Sequence, residues 1–398
     1  MIAPQSYLGK EPPPAARGVI VDEVDGLAGL EALAGPWSRL VAAVDYPVAF
    51  VRPEWMLPFV RSFAGGANLR VFVAWAGAEL VAVLPFSGTD ALAYLGNDHT
   101  PEADFLSNPE HRRPVLEAFL DRVQRPHSGV ASVGIPKMPE ACENARALQV
   151  LLRDRHFFVQ ESSYWQARHT RVEGAFDAFA KARSKNFRKQ VKRADKARRT
   201  HDLSVEVLTT AESVAAILPE LARVSAASWQ GKEHTGTFAG EDSFYREMLD
   251  RFAAAGALRL YVCKKGGRCV GYVLCLAGHG VLEALKSEFD SALGELMIGW
   301  QIYRAMYDDA AACGLTDINS GSYVTEFKDR WATHHVDLLG LRFFPPTLGG
   351  SLRFLPGFGK EVVKRVTRRS SVTRCYPLLD EIPEGRKRKT TPPPEDDG

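Results

Sequence analysis

The chain has 398 residues, 45% of them hydrophobic and 25% charged, with 50 basic against 48 acidic side chains. This length suits two or three domains, each able to bury a core. The formal net charge of +2 excludes a wholesale polyanion binder but leaves local patches open.

No apolar run approaches the roughly 18 residues of a membrane-spanning helix. The opening MIAPQSYLGKEPPPAARG lacks the basic-then-apolar order of a secretory leader. The six cysteines, Cys142, Cys263, Cys269, Cys275, Cys313 and Cys375, show no C-x2-C spacing, so no metal site is expected. Reduced thiols buried in strands and a helix, and a cytoplasmic location, follow as expectations.

Residues 1–16 and 383–398 read as unstructured tails, rich in proline and in charge. Between them the elements fall into two α/β halves. In the first (17–171), a strand is predicted at 17–24 and an apolar-periodic helix at 26–43. Alternating runs at 68–75 and 80–86 flank Ala76-Gly77, a hairpin signal. A short strand follows at 91–95, a helix at 113–125, a strand at 129–135, a helix at 140–155 and a strand pair over 157–171.

The second half (203–345) repeats this order. A strand at 203–208 precedes helices at 211–228 and 242–255. Strands at 258–264 and 268–276 flank Lys265-Gly266-Gly267, a stronger hairpin signal, and a third strand runs over 281–288. A helix at 295–313 ends at Gly314, a C-cap residue. A strand at 315–320, a short helix at 324–332 and a strand at 336–344 that closes the sheet complete the half. Residues 346–382 form a C-terminal extension.

Between the halves, the connector 172–202 holds KARSKNFRKQVKRADKARR, ten basic residues against the single acidic Asp195. Phe187 and Val191, four apart, mark one helical face for docking. The rest is either a solvated connector or an anion patch for phosphate, acidic glycan or RNA.

The order strand, two helices, three-strand meander, helix, strand, helix, strand is the pattern of the GNAT acyltransferase superfamily. The runs LRLYVCKKGGRCVGYVLCLAGHGVLEALKSEFD, GWQIYRAMYDDAAACGLTDINSG and FKDRW resemble the acetyltransferase domain of CelD-type polysaccharide-biosynthesis proteins, itself distantly similar to FemAB peptidyltransferases. The resemblance covers residues 162–344; the first half resembles the superfamily in element order. It implies a fold of two tandem GNAT-like halves, with mixed, mostly antiparallel sheets flanked by helices. It also implies acyl-CoA (acetyl-CoA) as co-substrate, with its pyrophosphate at the turn Gly294-Glu295-Leu296-Met297-Ile298-Gly299. Backbone N–H groups of Met297, Ile298 and Gly299 are the expected cofactor contacts, since a helix start offers free donors and a favourable dipole. The familiar Q/R-x-x-G-x-G/A signature is absent, and an inward Glu295 would repel phosphate.

Acyl transfer from a thioester requires a group that takes a proton from the acceptor. Glu283, sharing a strand face with Val281 and Leu285, is the first candidate, because an apolar setting raises a carboxylate's proton affinity. Asp317, in a strand whose C-terminal end should splay near the site, is the second. Lys286, Lys328 and Arg188 are candidate contacts for anionic groups. Trp331, three residues after Lys328 on one helix side, either stacks on a sugar or fills core. Trp229 opens the polar loop QGKEHTG, a candidate specificity element that contains His234.

These observations lead to acyl-CoA-dependent transfer to an amine or hydroxyl of a small molecule or an envelope or exopolysaccharide precursor. The alternatives are a FemAB-like aminoacyl-tRNA-dependent transferase, with the basic helix meeting tRNA, and a non-catalytic anion-binding scaffold on the same fold.

Overall fold

The computed structural model describes residues 18–355 apart from 66, 126, 233–236 and 238–241. Both predicted tails, most of the C-terminal extension, His234 and Cys375 lie outside the described residues.

In chain order the first half comprises β1 (Ile20–Val24), α1 (Leu27–Ala32), α2 (Ala34–Ala43), α3 (Pro53–Phe63), β2 (Leu69–Ala76), β3 (Glu79–Ser87), β4 (Ala91–Tyr94), β5 (Leu106–Ser107), α4 (Arg112–Gln124), β6 (Ser132–Pro139), α5 (Glu143–Asp154) and β7 (Phe158–Arg171). Helices α6 (Phe176–Ala182) and α7 (Lys185–Thr200) connect it to β8 (Leu203–Leu208), α8 (Ala211–Ala227), α9 (Trp229–Lys232), α10 (Asp242–Ala254), β9 (Leu258–Lys265), β10 (Arg268–Gly278), β11 (Val281–Phe289), α11 (Ile298–Ala312), β12 (Asp317–Asn319), α12 (Glu326–Trp331) and β13 (His334–Phe344).

Local chemistry explains the boundaries. Gly266 and Gly267, with φ of 54° and 81°, make the two-residue turn between β9 and β10, where both central positions need positive φ. Thr210 and Ser213 form a reciprocal capping box at the start of α8. The Ser184 hydroxyl accepts from Phe187 N at the start of α7.

One mixed, mostly antiparallel sheet runs through both halves in the order β1-β2-β3-β4-β6-β13-β7-β12-β11-β10-β9-β8. The halves exchange their last strands. β13, expected to close the sheet of the second half, lies between β6 and β7, while β7 lies between β13 and β12. The predicted strand pair over 157–171 is instead a single 14-residue strand, long enough to pair along all of β13 and then with β12. Each half contains one short parallel pairing, β4 with β6 and β11 with β12.

Helices α3 and α6, the two-residue β5 and the four-residue α9 escaped the pattern reading. Helix α3 buries seven of its eleven residues, and Pro58 inside it reads in sequence as a helix breaker. Helix α6 has only seven residues. Buried aromatic residues of α3 meet α10 across the halves, with Trp55 and Phe244 edge to face at 5.2 Å. This core takes both faces of β2 and β3 in the first half, and on β9 and β10 it takes the face opposite a second core that packs α6, α7, α11 and α12.

Candidate active site

Strand β11 pairs with β12 through only three residues, Val281 with Asp317, Leu282 with Ile318 and Glu283 with Asn319. Beyond that point β11 continues to Phe289 on β10 alone, and the two strands part. A bulge at Leu285 lies in this stretch, because Leu274 faces Lys286 while Cys275 faces Ala284. Strict alternation would place Lys286 opposite Glu283. The bulge puts both on the face that carries Leu274 and Leu276.

Helix α11 starts beside the parting strands. Its N-cap, Met297, adopts φ 54° and supplies no side-chain cap, so the first-turn N–H groups have no side-chain acceptor from it. Gly271 on β10 permits this approach, since a Cβ there would lie 2.6 Å from Ile298 Cγ2. Glu295 is exposed, away from an inward, phosphate-repelling position. Gly299 faces the Phe327 ring, which a Cβ would meet at 3.3 Å.

Glu283 is 7% exposed. Burial pushes its carboxyl well above the ordinary range, and the nearby Glu102 and Asp317 carboxyls push the same way against the Asn319 amide. Glu102 comes from the first half, and its Oε1 accepts from Asn319 Nδ2 at 2.6 Å. Its carboxyl is also raised by burial, against the pull of Asn319 and His169. Asn319 Oδ1 in turn accepts from Gly321 N at 2.8 Å.

Glu102, Asn319 and Glu283 line a cavity of about 360 Å³ between the halves. Its apolar wall comes from residues 47–51, Val281 and Val336, and further carboxyls come from Asp45, Asp104 and Glu143. Burial lifts Asp104 to about 6 against hydrogen bonds from Asn144 and Phe105 N.

Asp317 opens β12, which is shorter than the predicted strand 315–320. Its carboxylate meets His169 Nδ1 at 2.9 Å and His334 Nε2 at 3.4 Å. Burial lowers the His334 imidazole's proton affinity, with Asp317 acting in the opposite direction.

The other predicted contacts do not form one cluster. Trp229 stacks on Tyr323 at 6.4 Å, and the Lys328 ammonium lies 5.9 Å from the same ring. Burial, with a contribution from Arg168, lowers Lys328 to about 8. Lys286 lies 5.9 Å from the Tyr245 ring. Arg188 donates to the carbonyls of Lys181 and Arg183, at 3.1 and 2.5 Å, and so closes the end of α6. Trp331 is 1% exposed among Phe176, Phe187, Trp300 and Tyr303, which places it in the core.

Helix α7 docks as Phe187 and Val191 suggested. Phe187 is buried against Trp300 at 5.1 Å, and Asp195 pairs with Arg304 at 2.8 Å. Cys263, Cys269 and Cys275 are buried in strands, whereas Cys313 is exposed and Cys142 half-buried. Burial raises the Cys263 and Cys269 thiols to about 12 and about 11.

The sequence reading missed Glu102, His169, Asn319 and His334. Only Asn319 lay within a recognised motif run, and nothing local marks the other three, because strand pairing between the halves brings them together.

Residues 184–329 match the family described as acetyltransferase (GNAT) domain. No curated protein matches the chain. Among solved structures, FemX superposes with a TM-score of 0.56 at 10% identity, over 81% of this chain and 98% of its own. A domain assigned to a lysylphosphatidylglycerol synthetase from Agrobacterium fabrum gives 0.53 at 12% identity, over 79% and 92%. L-PGS from Bacillus licheniformis gives 0.52 at 14% identity, over 79% and 93%. At these identities the likenesses establish the fold. Among the described residues, no helix is long and apolar enough to cross a membrane.

Proposed function

We propose that this chain, which carries a GNAT-type domain over residues 184–329, transfers an acyl group from acyl-CoA to an amine or hydroxyl acceptor. The observation that carries this reading is the buried Glu283, placed where β11 leaves β12 and where a cavity opens toward the first half. The thioester occupies the gap between the parting strands, and the N–H groups of Met297, Ile298 and Gly299 receive the diphosphate. The acceptor enters through the cavity. Ionised Glu283 takes its proton, the nitrogen or oxygen bonds to the acyl carbon, and the carbon–sulfur bond breaks to release the thiol form of CoA, which gains a proton. Glu102 and Asn319 set the charge around Glu283.

Lys328, with Tyr323 and Trp229, forms a second polar and aromatic edge suited to an anionic part of donor or acceptor. Lys286 extends the Glu283 face. Arg188 and Trp331 act through packing. Envelope or exopolysaccharide precursors remain the acceptor class implied by the sequence resemblance. A cytoplasmic location belongs to the same proposal and is supported by the five cysteines among the described residues, all of them free.

Calorimetric titration with acetyl-CoA and longer acyl-CoAs tests the reading. One-to-one binding that a Gly299→Glu variant abolishes is expected, and absence of binding by all of them overturns it. A second reading, aminoacyl transfer from tRNA, is favoured by the basic exposed side of α7 and by the names of two of the similar folds, FemX and L-PGS. It requires tRNA binding that weakens steeply with salt and is lost when Lys189, Lys192 and Arg193 are neutralised.

A further inference from the structure

His169, Asp317 and His334 meet on three adjacent strands, β7, β12 and β13, at the place where the halves exchange strands. We propose that they bind one divalent transition-metal ion, with zinc(II) as the best fit, which clasps this exchange. One ligand atom from each side chain lies within 4.8 Å of the others. Nδ1 of His169 and Nε2 of His334 stand 2.9 and 3.4 Å from the two Asp317 oxygens. Bonds of about 2.0 Å to nitrogen and oxygen give tetrahedral edges of about 3.3 Å, so the three need little movement to surround an ion. Two imidazoles and one carboxylate form a borderline donor set, with a fourth position open to water.

The outer contacts support the assignment. His334 Nδ1 lies 3.1 Å from the Thr333 hydroxyl, which turns Nε2 toward Asp317. Thr333 Oγ1 also lies 3.2 Å from the His169 carbonyl and so ties the two ligand strands together. His169 Nε2 is shut from solvent without a partner. Coordination through Nδ1 holds the His169 proton on Nε2 and leaves that buried atom unpaired, a cost that the metal bonds must exceed. Glu102 lies within electrostatic reach of His169, and Glu283 of Asp317, so a bound cation would favour ionisation of both buried carboxyls. Arg171 opposes a cation, but its Nε is directed toward Glu173 at 3.9 Å.

The other end of the β7–β13 pair contrasts with this one, being closed by Phe157, Phe158, Phe343 and Phe344. The ligands lie 148 and 17 residues apart in sequence, at positions 169, 317 and 334, so no motif spacing announces them.

The test uses the untagged full chain, stripped with chelator, and titrates it with Zn²⁺ and with Co²⁺. One-to-one micromolar or tighter binding, visible Co²⁺ absorption of a low-coordinate nitrogen–oxygen site and a raised Tm with Zn²⁺ are expected. Asp317→Asn and His334→Ala should weaken binding at least tenfold to a hundredfold, while His335→Ala leaves it unchanged. Circular dichroism and the metal-free melting curve establish that the variants fold, and His334, on the more exposed side of the cluster, is the least demanding to replace. Absence of one-to-one binding, or binding that survives both substitutions, overturns the proposal.

Discussion

Asn319 of the second half donates to Glu102 of the first at 2.6 Å, across 217 residues of sequence, while pairing in register with Glu283. A single amide thus separates two buried carboxyls, each raised by burial. Asn319→Ala leaves Glu102 without this donor, and an unsatisfied buried group costs about 1–3 kcal/mol. Urea unfolding should show a loss of that size. Asn319→Asp should be worse, since it adds a third acid to the pair. Equal stability of Asn319→Asp and the natural chain would contradict this account of the seam.

The raised carboxyl of Glu283 has a definite sign in both stability and rate. The unfolded chain releases that proton near the ordinary value of 4.5, whereas the folded chain holds it to higher pH. Folding therefore takes up a proton, and stability falls as pH rises above about 4.5 until the folded group ionises. Glu283→Gln should flatten this part of the pH–stability curve. In acyl transfer, the natural chain should show a rising limb above the ordinary carboxylate range. Glu283→Gln should lose that limb and about 10²–10⁴-fold in rate. A variant that keeps the pH limb would remove Glu283 from the proton-transfer role.

The legible parts of the fold were those written in local chemistry. The Gly266–Gly267 turn, the Thr210 start of α8 and the β9–β10–β11 alternation can all be read within a dozen residues. So can the buried carboxylate at Glu283, since Val281 and Leu285 flank it. The bulge at Leu285 could not be read, because it depends on what β10 presents opposite. Helix α3 was hidden because Pro58 inside it reads as a helix breaker. The seam between the halves was hidden for another reason. Glu102, His169 and His334 acquire their neighbours through β7 and β13, whose destinations are set by pairing between segments more than a hundred residues apart.

Lys328 shows the opposite charge logic. Burial lowers its ammonium from 10.5 to about 8, with Arg168 contributing. Below pH 8 both states hold the proton and the folded state bears the full desolvation cost. From about 8 to 10.5 the folded group is neutral while the unfolded group is still charged, so stability recovers as pH rises. Lys328→Met should therefore stabilise the chain by about 1–3 kcal/mol at pH 7. That gain should shrink toward pH 10.5, as measured by urea unfolding at each pH. Loss of acyl-donor affinity in the same variant would support its place at the anionic edge, whereas unchanged affinity would restrict Lys328 to packing against Tyr323.

The exchanged strands predict how the chain unfolds and which fragments survive. β13 occupies the space between β6 and β7, so the first half lacks a sheet neighbour without the last strand of the second. A fragment of residues 18–171 would expose the edge of β6 and leave β7 without both of its partners, β13 and β12. Unpaired backbone and apolar side chains at such an edge favour association over folding. The core shared by α3 and α10 would be opened as well, removing the contact of Trp55 with Phe244. Fragments 18–171 and 172–355 should each give poorly dispersed amide spectra, and mixing them should restore dispersion. The intact chain should melt in one calorimetric transition. Two separated transitions, or a well-dispersed spectrum from 18–171 alone, would show that each half folds without the other's strand.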